Sequence, residues 1–134
     1  LLAPGTVYVA PAGFQMTLAA RGILSLRPAD AGAGYSPSVT LLFESVARAY
    51  GPDAVGILLT GMGEDGAVGL LAMRERGATT ICQDEESSIV YGMPQAAIRL
   101  GAAMKILSPP MIGRELPGLV GANDGERSEH HVGR

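Results

Sequence analysis

A short apolar run that leads into a glycine-rich loop constrains the fold of this chain more than any other feature. Val55–Leu59 is almost wholly apolar, which is typical of a strand buried on both faces of a parallel sheet. Glycines at 61, 63 and 66 follow, and glycine permits backbone turns that other residues resist. Helical spacing of apolar residues then begins at residue 67. The stretch therefore predicts strand, loop and helix, with Glu64 and Asp65 where α/β proteins place catalytic and ligand-binding groups.

Spacing alone supports two interpretations of this loop. Gly61, Gly63 and Gly66 form a G-x-G-x-x-G pattern, and Asp84 stands about twenty positions further on, as in a dinucleotide-binding site. The two carboxylates in the loop count against that interpretation, because they would repel the pyrophosphate that a helix N-terminus attracts. The second interpretation gives Asp65 a purely structural role, as the N-cap of the helix that follows Gly66.

Two longer motifs resemble a known family. Leu58–Ala67 has the sequence LLTGMGEDGA, and Tyr91–Pro94 has the sequence YGMP. Both resemble the catalytic domain of the chemotaxis protein-glutamate methylesterases, which remove methyl groups from glutamyl methyl esters on chemoreceptors. The resemblance extends from about Pro4 to about Leu107. It implies an α/β fold with a Rossmann-like, doubly wound and mostly parallel sheet, of which this chain is a part.

The resemblance also implies a Ser-His-Asp hydrolase and assigns part of its site. Asp65 matches the acid of the triad, and Met62 matches a residue whose backbone amide helps to form the oxyanion hole. The remaining matches are to the oxyanion and substrate region: Gly61, Gly63, Tyr91, Gly92 and Met93. We expect the Asp65 carboxylate to face outward at the carboxyl end of its strand, free to accept a hydrogen bond from a histidine.

The serine and the histidine of such a triad are not found in the matched region. The only histidines of the chain are His130 and His131, which we interpret as solvated residues of a tail. None of the candidate serines lies in a G-x-S-x-G turn; they are Ser36, Ser45, Ser87, Ser88 and Ser108. In the related family, both groups precede the region matched here. We therefore expect this chain alone to be inactive, since it supplies only the acid and part of the oxyanion wall.

Partners are implied by the resemblance as well. They are the methylated cytoplasmic helices of chemoreceptors, the N-terminal half of the catalytic domain, and the regulatory receiver domain that is usual in the family.

The sequence departs from the family at Tyr35 and Thr40, where relatives often carry His and Asp. The alternative function is a non-catalytic α/β interaction module that keeps the loop without the chemistry.

Composition excludes several other classes of protein. With 134 residues, 47% of them hydrophobic and 17% charged, the chain predicts one well-buried domain. A net charge of −3 and the lack of Trp give no sign of nucleic-acid binding. No apolar run reaches the ~18 residues of a membrane span, so the expected location is the cytoplasm. We expect no cofactor and no metal, and we interpret Cys82 as a buried small apolar residue.

Local patterns predict the other elements in order. The predicted strands are Thr6–Ala10, Met16–Ala20 and Ile23–Arg27 (the last two forming a β-hairpin through Arg21 and Gly22), then Ala78–Gln83 and Ala103–Leu107. The predicted helices begin at Ser36-Pro37 (Ser36 as N-cap), Met93-Pro94 and Ser108-Pro109, with loops over 29–35 and 84–88. The last helix is expected to end near Pro117. We predict a domain over 1–121 and a disordered tail over 122–134.

The charge of the glycine loop makes the dinucleotide alternative testable. Because Glu64 and Asp65 stand where a pyrophosphate would bind, calorimetric titration of the chain with NAD should show no saturable heat. A dissociation constant in the micromolar range would restore the dinucleotide interpretation.

Overall fold

The computed structural model describes residues 1–32 and 34–131, with side chains described as far as Val120. Two strands near the N-terminus, β1 (Phe14–Ala20) and β2 (Ile23–Pro28), pair antiparallel as a hairpin. Three further strands form a parallel sheet in the order β3–β4–β5: β3 (Val55–Leu58), β4 (Thr79–Gln83) and β5 (Lys105–Leu107). The helices are α1 (Val39–Tyr50), α2 (Ala67–Glu75), α3 (Gly92–Arg99) and α4 (Pro109–His131), with a 3₁₀ turn at Gly51–Asp53.

This architecture confirms the predicted α/β fold with its mostly parallel sheet and N-terminal hairpin. In the sheet, Leu58 is paired with Cys82, and Gln83 with Leu107. The strands are parallel, so the loops that follow β3 and β4 leave the sheet at the same edge. The glycine loop and the acidic loop over 84–88 are therefore neighbours.

Helix α2 lies at the centre of the apolar core. It contacts the sheet, α1 and α3, and its Leu70 is fully buried. One cluster joins α2 to the sheet and α3: Leu58, Ala67, Leu70, Cys82, Ala97 and Ala102. A second cluster joins α2 to α1: Ala47, Met73 and Ala78. Burial of a side chain such as Leu70 contributes about 1.5–3 kcal/mol, so α2 holds the glycine loop at a fixed place above the sheet.

Cys82 is buried in β4, as predicted. Burial raises the pKa of its thiol to about 11, because the charged thiolate is costly to remove from water. The thiol therefore stays protonated at neutral pH and acts as a small apolar group.

Two predictions for the first forty residues are wrong. Thr6–Ala10 is not a strand: Val7 and Val9 are 88% and 82% exposed, and no strand pairs with this segment within the described part of the chain. A strand needs a partner for its N–H and C=O groups, which alternation alone does not supply. Helix α1 begins at Val39 with Ser38 as N-cap, and not at Ser36-Pro37.

The C-terminal helix is longer than the sequence predicts. Pro117 lies inside α4, and the helical backbone continues to His131, where an irregular tail was expected from residue 122. A helix forms its hydrogen bonds within its own backbone, so its length need not follow the apolar periodicity on which the prediction rested. Residues 132–134 lie outside the described part, and the domain boundary at 121 stays a prediction. Among the described helices, none combines the length and the apolar character needed to cross a membrane.

The close approach of α1 and α2 gives a stability prediction. A Cβ on Gly69 would lie 2.9 Å from both the Cα and the carbonyl oxygen of Thr40, so Gly69→Ala should lower the free energy of unfolding by about 1–3 kcal/mol. Gly113 on α4 is the matched control, since its Cβ would meet nothing within 4 Å and Ala favours a helix by up to ~1 kcal/mol. Urea denaturation of the two variants should give opposite signs; a loss of stability in both would contradict the packing.

Candidate active site

Asp65 follows β3, and its carboxylate turns toward the first turn of α1. Oδ2 accepts a hydrogen bond from the N–H of Val39 at 2.8 Å, and Oδ1 accepts one from the N–H of Thr40 at 3.1 Å. The hydroxyl of Ser38 also donates to Oδ1, at 3.1 Å. The residue is only 7% exposed. Asp65 is thus a buried carboxylate that is held by the N-terminus of a helix far from it in sequence.

The start of α1 is fully capped by side chains. A helix leaves its first N–H groups without a partner inside the helix. Besides the two that Asp65 accepts, the N–H of Ser38 donates to Oε1 of Gln15 at 2.8 Å, and that of Leu41 donates to Oγ of Ser38 at 3.3 Å. The partial positive charge of a helix N-terminus also favours a carboxylate at this place.

This placement corrects both predictions made for Asp65. The N-cap of α2 is Gly66, with no side-chain cap, so Asp65 caps a different helix from the one expected. Its carboxylate also does not face outward, because the unpaired amides of α1 attract it inward. A carboxylate has about four acceptor positions, and three are used, so one position remains on Oδ2.

A second hydrogen bond between the same elements fixes the end of the glycine loop. The N–H of Gly66 donates to Oγ1 of Thr40 at 2.8 Å. Gly66 has φ +96°, and a Cβ there would lie 2.8 Å from Leu58 Cδ1 and 2.9 Å from Val39 Cγ1. Only glycine combines this φ with this close packing. The loop is therefore clamped to α1 at two successive residues.

The structure brings the two motifs together. The N–H of Met93 donates to the carbonyl oxygen of Gly61 at 2.9 Å, and the N–H of Gly61 donates to that of Val90 at 2.9 Å. A Cβ on Gly92 would lie 3.1 Å from the Gly63 nitrogen, so the two loops touch through their backbones. The predicted neighbours Gly61, Gly63, Gly92 and Met93 therefore form one surface at the carboxyl edge of the sheet.

Gln83 joins the glycine loop to the acidic loop over 84–88, and the sequence analysis missed this role. The residue is only 4% exposed. Its Oε1 accepts from the N–H of Thr60 at 2.7 Å, and its Nε2 donates to the carbonyl oxygen of Ser87 at 3.0 Å. Thr60 is also bonded to Val90, with its hydroxyl donating to the carbonyl oxygen at 2.8 Å. A polar residue that ends a buried strand was the available signal. The acidic loop is thus held at the rim of the site.

Met62 lies at the exposed tip of the glycine loop. Met62 is 81% exposed, and within the described part of the chain its backbone N–H donates to no protein acceptor. An amide in this state is able to donate to a substrate oxygen. An unpaired N–H is one requirement for an oxyanion-hole donor.

Tyr91 begins the second motif, near the acidic loop, and its hydroxyl is neutral. Partial burial first, and then the negative charge of Glu85, raise its pKa above the ordinary value, because both disfavour the phenolate. Tyr91 therefore remains a hydrogen-bond donor at neutral pH.

A cleft of about 510 Å³ opens beside the loop, between the first turn of α2 and α3. Glu64, Gln95 and Arg99 provide its polar lining. Glu64 lies at the wall where a dinucleotide phosphate would approach α2, which counts against a dinucleotide-binding site.

Within the described residues, no three His, Cys, Asp or Glu side chains lie close enough together to hold a metal ion.

The candidate serines do not form a nucleophile–base pair at this site. Ser45 is buried and donates to the carbonyl oxygen of Leu42 at 2.7 Å, while Ser87 lies in a turn with Asp84. His130 and His131 lie in the last turn of α4. The structure thus places the acid and the loop amides together without assigning a serine or a base to them.

The fold and the site define an α/β protein whose candidate residues lie on loops after parallel strands, around one buried carboxylate. The sequence model of the family described as CheB methylesterase matches residues 1–116. The chain belongs to the CheB methylesterase family, whose members are enzymes, and the predicted resemblance is confirmed.

Individual relatives agree with this assignment. The chain is 47% identical over 116 residues to the protein-glutamate methylesterase FrzG of Myxococcus xanthus, covering 87% of this chain and 35% of that protein. It is 50% identical over 119 residues to protein-glutamate methylesterase/protein-glutamine glutaminase 1 of Syntrophus aciditrophicus, covering 89% and 34%. The chain therefore spans about a third of the length of these relatives.

A solved structure shows the same fold. The Thermotoga maritima CheB methylesterase catalytic domain superposes with a TM-score of 0.75 at 31% identity, covering 89% of this chain and 63% of that chain. The sheet, the hairpin and the helices described above thus correspond to part of a catalytic domain.

The hydrogen bonds of Asp65 predict a stability effect that is separate from any chemistry. Asp65→Asn replaces one carboxylate oxygen by an NH₂ group that faces a helix N–H, so it should lower the free energy of unfolding by about 1–3 kcal/mol. Asp65→Ala should cost at least as much. Glu64→Gln is the matched control: Glu64 is exposed and its side chain makes no hydrogen bond among the described residues, so its change should stay within about 0.5 kcal/mol. Equal stability of Asp65→Asn and Glu64→Gln in urea denaturation would show that the cap is not formed.

Proposed function

We propose that this chain forms the acid-bearing part of a protein-glutamate methylesterase that hydrolyses glutamyl methyl esters on chemoreceptors. The observation that carries the proposal is the juxtaposition of two groups on one loop. Asp65 is buried and keeps one acceptor position on Oδ2, while the amide of Met62 has no protein acceptor in the described structure. Family membership supplies the reaction class.

Asp65 acts as the acid of a Ser-His-Asp triad. It accepts a hydrogen bond from the histidine on the remaining position of Oδ2, holds the imidazole in the tautomer that can accept the serine proton, and stabilises the imidazolium that results. The histidine and the serine come from the part of the catalytic domain that this chain does not represent. The three helix N-terminal donors keep the carboxylate in one rotamer, which such a role needs.

The reaction divides into two acyl-transfer steps. The serine attacks the ester carbonyl, methanol leaves, and water then hydrolyses the acyl-enzyme to release the glutamate. In each step the Met62 amide donates to the oxygen that becomes negatively charged in the tetrahedral intermediate. Gly61, Gly63, Gly92 and Met93 shape the backbone around that amide, and Tyr91 offers a neutral hydroxyl to the substrate.

The second name of several relatives suggests a further substrate for the same site. They are also called protein-glutamine glutaminases. Hydrolysis of a glutamine side-chain amide uses the same acyl-enzyme, with ammonia as the leaving group in place of methanol. The partners of the proposed enzyme are therefore receptor helices that carry glutamyl esters or glutamines.

The test compares turnover and folding in the same variants. The sample is this chain together with the domain segment that carries the serine and the histidine, and methanol release from a glutamyl methyl ester peptide is measured. Loss of the triad acid costs on the order of 10⁴ in kcat in a serine protease, so Asp65→Asn should lose most of its turnover per folded molecule.

A destabilised control separates catalysis from stability. Ile81→Val removes one methylene from the fully buried core of β4, costs about 0.5–1.5 kcal/mol, and should keep wild-type turnover per folded molecule. If Asp65→Asn also keeps wild-type turnover, Asp65 is only a helix cap. If the unmutated assembly itself shows no turnover, the non-catalytic module becomes the better description.

A further inference from the structure

We propose that Thr40 is a positioning residue that sets the direction of the Asp65 carboxylate toward the histidine. The proposal rests on the proposed function of Asp65. Thr40 contacts two consecutive residues of the loop: its N–H donates to Asp65 Oδ1 at 3.1 Å, and its hydroxyl accepts from the Gly66 N–H at 2.8 Å. No other side chain in the described structure is bonded to this loop end in this way.

The hydroxyl of Thr40 is not needed to cap its own helix. The amides at the start of α1 are satisfied by Gln15, Ser38 and the two oxygens of Asp65. The hydroxyl instead faces the other element and accepts from its backbone. The hydrogen bond of this hydroxyl therefore holds the glycine loop and does not cap α1.

Thr40 also lies where α1 and α2 are closely packed. The backbones of α1 and α2 approach so closely here that a Cβ on Gly69 would lie 2.9 Å from the Thr40 Cα. Gly66 is itself buried. Because the Gly66 N–H donates to Thr40, the packing of α1 against α2 also fixes the position of Gly66 and of the adjacent Asp65.

Loss of the hydroxyl leaves the Gly66 N–H without a partner in a buried site. That group gains a new partner only if the loop backbone shifts, and a shift turns the free position of Oδ2 away from the histidine. A displacement of about 1 Å can cost on the order of 10²-fold in rate. Because the proposed role of Thr40 is exerted through Asp65, the effect should appear in kcat and leave KM nearly unchanged.

The experiment measures kcat and KM for Thr40→Val and Thr40→Ser in the assembled enzyme described above. Thr40→Val keeps the shape of the side chain and removes the hydroxyl, and its kcat should fall on the order of 10- to 100-fold, with KM within about twofold. Thr40→Ser restores the hydroxyl and should recover most of kcat. In an Asp65→Asn background, Thr40→Val should change kcat by less than about twofold, because the carboxylate that it positions is absent.

Several results would overturn the inference. Wild-type kcat in Thr40→Val, no recovery in Thr40→Ser, or an equal fold-loss from Thr40→Val in both backgrounds would show that Thr40 has no positioning role. Wild-type turnover in Asp65→Asn would overturn the proposed function itself. If Thr40→Val does not fold, Thr40→Ala in the isolated chain provides a second measurement: amide hydrogen exchange at Gly66 should be faster than in the wild type, and unchanged protection would contradict the hydrogen bond.

Discussion

One electrostatic interaction connects the parts of this structure: the Asp65 carboxylate at the N-terminus of α1. The carboxylate satisfies two helix amides that have no other acceptor, and the helix dipole favours its charge. Through this interaction the loop after β3 is attached to α1, and α1 in turn packs against both α2 and the hairpin. Removal of the carboxylate would leave donors of α1 unpaired, and the end of the loop would keep only the hydrogen bond of Gly66 to α1. The candidate catalytic group is therefore also a structural one, and its two roles are separable only when turnover is measured per folded molecule.

The elements that the sequence predicted well are those with a strong local signal. The apolar run after residue 55 identifies a strand because burial within a sheet selects apolar residues, and Arg21 and Gly22 identify the turn of the hairpin. Thr6–Ala10 alternates as a half-buried strand would and is not a strand, since the partner edge that a strand needs is not a property of the segment. Pro37 makes Ser36 the stronger cap signal in the sequence, and the acceptors at Gln15 and Asp65 favour Ser38 instead.

The sequence predicted which residues belong to the site, but it did not predict how their side chains are arranged. The resemblance identified both motifs, and parallel strand order explains why they meet. The direction of the Asp65 side chain was not predictable, because its partners lie at least 25 residues away in the sequence. Gln83 and Thr40 were missed for the same reason: each is an ordinary polar residue at the end of an element, and its importance comes from the loop opposite it.

The hairpin gives the site an unexpected dependence on a remote element. Only Met16 of β1 and β2 is buried, and the hydrogen bonds between the hairpin and α1 include that from the N–H of Leu18 to Oγ of Ser45 at 2.9 Å. We expect an element with so few buried residues to open locally at a lower free energy than the core. Such opening carries away Gln15, the acceptor for the first amide of α1. Opening of the hairpin would therefore leave the N–H of Ser38 without its acceptor, next to the amides that hold the Asp65 carboxylate.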